Sequence, residues 1–212
     1  MAARLSPDRI VDAAVALADR DGIDGVSMRR LGAELGVDPM SIYHHVRDKD
    51  RLRALMVDRV VAGISPHREG EWADALRTTL LDARAAMLRH PWAASVLASG
   101  IEPTPAVISH VDAIVGIMRG GGLSVALAHH ALHVLGSRIL GFGQDLFDDA
   151  AEPRPDATAR EAQAAAWEGA LPNLAELARA ADHEGGLGGC DDDVEFTFAL
   201  DLIIDGLAAR RG

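Results

Sequence analysis

Ser27 to Lys49 reads SMRRLGAELGVDPMSIYHHVRDK, and the spacing in this stretch decides the fold. Ser27 can cap a helix, Leu31 and Leu35 follow on one buried face, and Gly36 ends the helix after about two turns. Gly36-Val37-Asp38 then makes a tight turn, because glycine takes the positive φ that such a turn needs. Val37 plugs the angle between the helices, and Ala33 is read as the small residue where they cross. Asp38-Pro39 opens a second, very short helix running to about Val46. Helix, tight turn, helix is the arrangement that can lay its second helix in the major groove of DNA.

Helical signals continue outward on both sides. Ser6-Pro7-Asp8 supplies a cap, a proline at the first helical position and an acid in the first turn, and Ile10, Ala13, Ala14, Leu17 and Ala18 form one stripe up to Gly22. Asp48 starts a helix with Leu52, Leu55, Met56 and Val60 inward. Beyond Ser65-Pro66, Trp72, Leu76, Leu80, Ala83 and Met87 share a face until His90-Pro91, and Trp92 to Ala98 is a short helix. Val107, Val111, Ile114 and Met118 are expected to line the next helix, which Gly120-Gly121-Gly122 ends. Residues 124–147 are apolar on more than one face and predict a helix buried on two sides. Residues 150–157 predict a mobile loop, 158–170 and 172–181 helices, and 183–189 a disordered glycine-rich stretch. Asp191-Asp192-Asp193 suits the positive end of a last helix, whose stripe is Phe196, Ala199, Leu200, Ile203 and Leu207.

The 212 residues hold 49% hydrophobic but only 4% aromatic side chains, and alanine is abundant, which favours helix over strand. The expected fold is all-α: an N-terminal three-helix helix-turn-helix head at 1–50, a connecting helix at 51–64 and a helical C-terminal domain at 65–212. No apolar run is long enough to span a bilayer, no signal-peptide pattern is present, and Cys190 is the only cysteine, so a cytoplasmic protein without disulfides is expected. The formal net charge of −11 argues at first against a nucleic-acid partner. Its distribution reverses that inference: residues 1–64 hold ten basic and ten acidic residues, and 65–212 hold eleven and twenty-two. Within 27–53 the balance is six basic to four acidic, with His44 and His45 in addition.

The candidate DNA-contact set is Ser27, Met28, Arg29, Pro39, Met40, Ser41, Tyr43, His44, His45 and Lys49. Ser27, Ser41, Tyr43 and His45 can donate to phosphate oxygens, and Arg29 can reach a guanine edge. Pro39 and Met40 can touch thymine methyl groups, and Lys49 begins a helix whose N-terminal amides favour phosphate.

The run from Leu5-Ser6-Pro7-Asp8-Arg9-Ile10 through Asp21-Gly22-Ile23-Asp24-Gly25, Arg30-Leu31, Leu35-Gly36-Val37 and Ile42-Tyr43-His44-His45-Val46 to Lys49 resembles the head of the tetracycline-repressor (TetR) family, and within it the tetracycline repressor's branch. The resemblance implies a homodimeric, ligand-responsive transcription repressor on a palindromic operator, with contacts from Arg29 and from 39–49. Pro39, Met40 and His44 depart from that branch, which has Gln, Pro and Trp there, so a different operator is implied. Gly100-Ile101-Glu102-Pro103, Gly122-Leu123-Ser124, Leu140-Gly141-Phe142 and Phe196 to Ala208 follow the branch in order. Its metal-chelated ligand is held by histidines where this chain has Ala98 and Ser137. An apolar or amphipathic inducer, with neither metal nor cofactor, is therefore expected. Candidate pocket residues are Met87, Trp92, Val96, His110, Ile114, Met118, His130, His133, Ser137 and Trp167. The family also implies pairing of helices near 124–147 and 192–209 between protomers.

Three rival readings fit the residues less well. His129 and His133 at i, i+4 could hold a metal, but no glutamate-containing zinc-protease pattern accompanies them. An all-helical enzyme using His110 and Asp112 lacks a nucleophile motif and a phosphate loop, and a protein-only adaptor would leave the polar residues of 41–49 without a purpose.

Overall fold

Four short polar side chains start the first four helices. Ser6 Oγ accepts from the Arg9 amide (3.3 Å) and opens α1 (Pro7–Asp21), which Gly22 ends at φ 73°. Ser27 Oγ accepts from the Arg30 amide (3.2 Å) and opens α2 (Met28–Leu35). Asp38 caps α3 (Pro39–Tyr43) through the Met40 amide (2.8 Å), and Asp48 caps α4 (Lys49–Ala62) through the Arg51 amide (2.7 Å). Each cap satisfies an amide that the first helical turn leaves free. The computed structural model describes residues 4–100, 102–140, 157–180 and 192–211.

Helix α3 is shorter than the sequence suggests. After Tyr43 the chain turns, with the His45 and Val46 amides both donating to the Ile42 carbonyl, and buried Val46 anchors the turn. Gly36 adopts the left-handed conformation expected of it (φ 67°, ψ 34°). The small residue at the α2–α3 crossing is Gly32, not Ala33, which is exposed. A Cβ on Gly32 would lie 2.9 Å from the Val37 carbonyl oxygen and 3.2 Å from Pro39 Cγ, so the crossing tolerates only hydrogen there.

The chain continues as α5 (Trp72–Arg89), α6 (Pro91–Ala98), α7 (Pro105–Gly120), α8 (Val125–Leu140), α9 (Ala157–Trp167), α10 (Pro172–Ala180) and α11 (Asp192–Ala209). It falls into two compact units, 1–141 with 207–212 and 142–206. In the first unit one apolar core runs from Ile10, Leu17 and Leu31 through Met56 and Val60 to Ala83, Met87, Trp92 and Val96. The helix-turn-helix and the start of the body therefore share a core. In the second unit α9 packs on α10, with Ala164 and Ala175 buried against each other. Among the described residues there is no strand, and no helix is long and apolar enough to cross a membrane.

Several stripes differ from expectation. Helix α7 buries Ala113, Ile114, Ile117 and Met118, while Val111 is exposed. Helix α11 buries Phe196, Leu200, Ile204 and Leu207; Ala199 and Ile203 are only half-buried. Over the described side chains 125–137, α8 buries Ala128, Ala131 and Leu135 and exposes Val125 and Val134; residues 141–147 of the expected helix lie outside the described residues. Ala157 begins α9 instead of closing a loop. Residues 150–156, the 183–189 stretch and Cys190 lie outside the described residues.

Candidate nucleic-acid interface

Ile42 is the fully buried side chain of helix α3, and the ring of Pro39 packs at the crossing with Gly32. Met40 is 63% exposed and Tyr43 44%, His44 and His45 are exposed, and Pro39 and Ser41 are half-buried. The short helix and the turn after it thus expose two apolar groups, a phenol and two imidazoles, a mixture suited to base edges and phosphates together. Lys49 follows at the first position of α4, exposed and with no ion-pair partner among the described residues, where the helix N-terminus adds positive potential.

The adjacent arginines of α2 are used differently. Arg30 is tied back into the head by a close ion pair with Asp21 and by donation to the Gly25 carbonyl (3.0 Å). Arg29 is exposed and makes no such bond, so its five donors remain available to DNA. Ser27 Oγ accepts the capping bond and keeps its hydroxyl proton to donate. Met28, unlike the rest of the expected contact set, is buried with its side chain in the core of the head.

The expected ligand residues fall on several helices. Met87, Trp92 and Val96 lie in the shared core, and Ile114 and Met118 are buried on α7. The Trp92 indole N–H donates to Asp19 Oδ1 at 2.6 Å, so that polar atom is engaged by the head. His110 is half-buried on α7 with neither ring nitrogen hydrogen-bonded, and burial pushes its pKa down. His130, His133 and Ser137 stand on the exposed side of α8, opposite Ala128, Ala131 and Leu135, and do not join the buried group. Trp167 is half-buried in the second unit, packed on Ala164 and Ala175. The His129 and His133 rings meet edge to face with centroids 4.8 Å apart. Among the described residues no three potential metal ligands come together. A groove of about 470 Å³ contains none of these candidates; Arg68, Glu71 and Arg211 surround Trp72 and the backbone of Gly116, Gly120 and Gly121 there.

Three links escaped the sequence reading. Asp19 receives Trp92 and also the His90 Nδ1 (2.8 Å). Arg59 of α4 pairs with Asp8 and Asp12 of α1. Asp58 accepts from the Ala106 amide (2.9 Å) and so caps α7, whose own N-cap Thr104 makes no side-chain bond. The only sequence signal was a need: a buried indole N–H and an uncapped helix both require an acceptor.

The chain matches the family described as bacterial regulatory proteins, tetR family, over residues 10–56, and the tetracyclin repressor-like C-terminal domain over 65–211. It is 32% identical to the HTH-type transcriptional repressor DrrR1 of Streptomyces coeruleorubidus, across 98% of this chain and 80% of that protein. It is 27% identical to the class A tetracycline repressor from transposon 1721 of Escherichia coli, across 98% and 93%. Among solved structures it resembles ActR of Streptomyces coelicolor in complex with actinorhodin, with a TM-score of 0.78, 28% identity, and coverage of 99% and 100%. The exposed recognition helix, the all-helical body and these matches over most of its length make the chain a member of the TetR family of transcriptional regulators, DNA-binding proteins and not enzymes.

Proposed function

We propose that the chain is a cytoplasmic, ligand-responsive repressor that binds a palindromic operator as a homodimer and leaves it when a small molecule occupies the body. Residues 1–50 read DNA, 51–64 connect, and 65–212 bind ligand and dimerise. The observation that carries this reading is the exposed surface of α3 and its surroundings: Arg29, Met40, Tyr43, His44, His45 and Lys49 are exposed around a short helix whose buried side chain is Ile42. Two such helices related by a two-fold axis match two half-sites, which is why a palindrome is the expected target. Protomers pair through α8 and α11, whose exposed apolar residues include Val125, Val134, Val194, Phe198 and Leu202.

Release follows if the ligand favours a conformation with the heads at another separation. The ligand is apolar or amphipathic, received near Ile114 and Met118, with the unpaired His110 ring available to one polar group. ActR, crystallised with actinorhodin and with (S)-DNPA, supports a small organic ligand.

The test is binding of purified protein to selected genomic fragments and to random duplex across a salt series, beside Arg29→Ala and Tyr43→Ala. Selective, salt-sensitive binding that both variants lose by about tenfold or more per contact is expected. A selection that enriches no sequence ends the proposal.

A further inference from the structure

We propose that Asp19 is a positioning residue that sets the tilt of the recognition helix, through a carboxylate oxygen shared by two donors from the junction of α5 and α6. This inference rests on the operator-binding role proposed above. Asp19 lies in the last turn of α1, and both bonds reach its Oδ1: the Trp92 indole Nε1 at 2.6 Å and His90 Nδ1 at 2.8 Å. The partners are more than seventy residues away in sequence. His90 ends α5 and precedes α6, yet its side chain caps neither helix; it is turned to the head instead. Trp92 is 5% exposed, and its ring and His90 meet edge to face.

The geometry gives the link its purpose. α1 carries α2 and α3 through the buried Leu17, Leu31 and Ile42, so a constraint at residue 19 is a constraint on the whole reading head. At its other end α1 is tied to α4 by Arg59 with Asp8 and Asp12. Two ties at opposite ends of a helix fix a direction, whereas one leaves a hinge. Without the Asp19 link, Arg59 and the apolar core keep α1 folded and attached, but its far end is free to tilt. In a dimer that freedom blurs the distance between recognition helices, the quantity by which half-site spacing is read.

The experiment uses the full-length protein and its selected operator, with variants of that operator lengthened or shortened by one base pair between half-sites, and an isolated half-site. Wild type should prefer the native spacing. Asp19→Ala should lose roughly fivefold or more of that preference, the low end of common site-to-site couplings, with half-site affinity unchanged; Asp19→Asn, which keeps an acceptor oxygen, should lie between. A folded Asp19→Ala protein whose preference stays within about twofold of wild type overturns the proposal. If Asp19→Ala does not fold, Trp92→Phe removes the same bond from the other side, and the same ratio decides. A wild type with no operator preference defeats the repressor reading and this inference together, which distinguishes that failure from loss of the link alone.

Discussion

At the start of α2, the reach of each side chain decides its use. Arg30 folds back to Asp21 and Gly25, while Arg29, one position earlier on a helix, is turned about 100° away and finds no partner in the head. The same dependence on direction makes Gly32 critical and Ala33 indifferent. A methyl on Gly32 must push against a carbonyl and a proline ring, so Gly32→Ala should destabilise the head by about 1–3 kcal/mol and weaken DNA binding with it. Ala33→Ser, on the exposed side, should change stability by less than about 0.5 kcal/mol. Thermal unfolding of the two variants checks this, and equal melting temperatures would refute the crossing argument. His110 offers a pH test. Burial holds its folded pKa below the ordinary imidazole value, so in mildly acid solution the unfolded chain binds the extra proton. Its contribution to stability should therefore decline as pH falls through about 6.5 and level off below the folded value. His110→Leu should flatten that part of the curve in urea titrations between pH 5 and 7; an unchanged slope would show that His110 protonates freely.

At the scale of elements, α4 stands out because adjacent residues bind different parts of the first unit. Arg59 holds α1, and Asp58 provides the cap that α7 lacks, while the buried Thr104 hydroxyl at that helix start has no partner. Asp58→Ala should cost about 1 kcal/mol, the usual worth of an N-cap, and Asp58→Asn, which keeps an acceptor, should recover most of it. Chemical denaturation measures both, and an Asp58→Ala protein as stable as wild type would mean the cap is replaceable by water. This element also marks where sequence reading stops. Ser6, Ser27, Asp38 and Asp48 were legible because each caps the helix it immediately precedes. Asp58 was not, because it serves a helix 48 residues later. Helix existence was legible for the same local reason, yet the buried stripe of α7 was misplaced at Val111. Helix α7 packs on both α4 and α5, and two neighbours, not the apolar period alone, decide which residues are covered. The outward face of α3 was legible once the tight turn was placed. The surroundings of Trp92, His130 and His133 were not, because residue type alone does not show that Trp92 donates to Asp19 or that His130 and His133 are exposed.

For the molecule as a whole, the exposed apolar residues of α11 carry the strongest demand. Val194, Phe198 and Leu202 recur at i, i+4 and i+8 with exposures of 56, 60 and 58%, on a helix whose other side is already buried at Phe196, Leu200 and Ile204. On the first unit, helix α8 by itself exposes Val125 and Val134, and Arg138 is the one charged residue in its sequence between Val125 and Leu140. Covering a Phe or Leu side chain is worth about 1.5–3 kcal/mol, so a second protomer gains several such terms by placing its own copies here. Introducing Phe198→Asp and Leu202→Asp together should bury two charges at that contact and separate the protomers. The expected product is a helical monomer, read by sedimentation, because neither side chain belongs to the buried stripe. Its isolated half-site affinity should persist, since Arg29 and the α3 edge are untouched, while affinity for the full palindrome falls by about 10²-fold or more as the second head ceases to be tethered. The cationic contacts of the head displace counterions from the duplex, so the monomer's half-site binding should weaken with added salt, and the excess acid of residues 65–212, whose repulsion salt screens, should make that slope shallower. A double variant that still sediments as a dimer would move the interface away from α11 and leave its exposed stripe without an explanation.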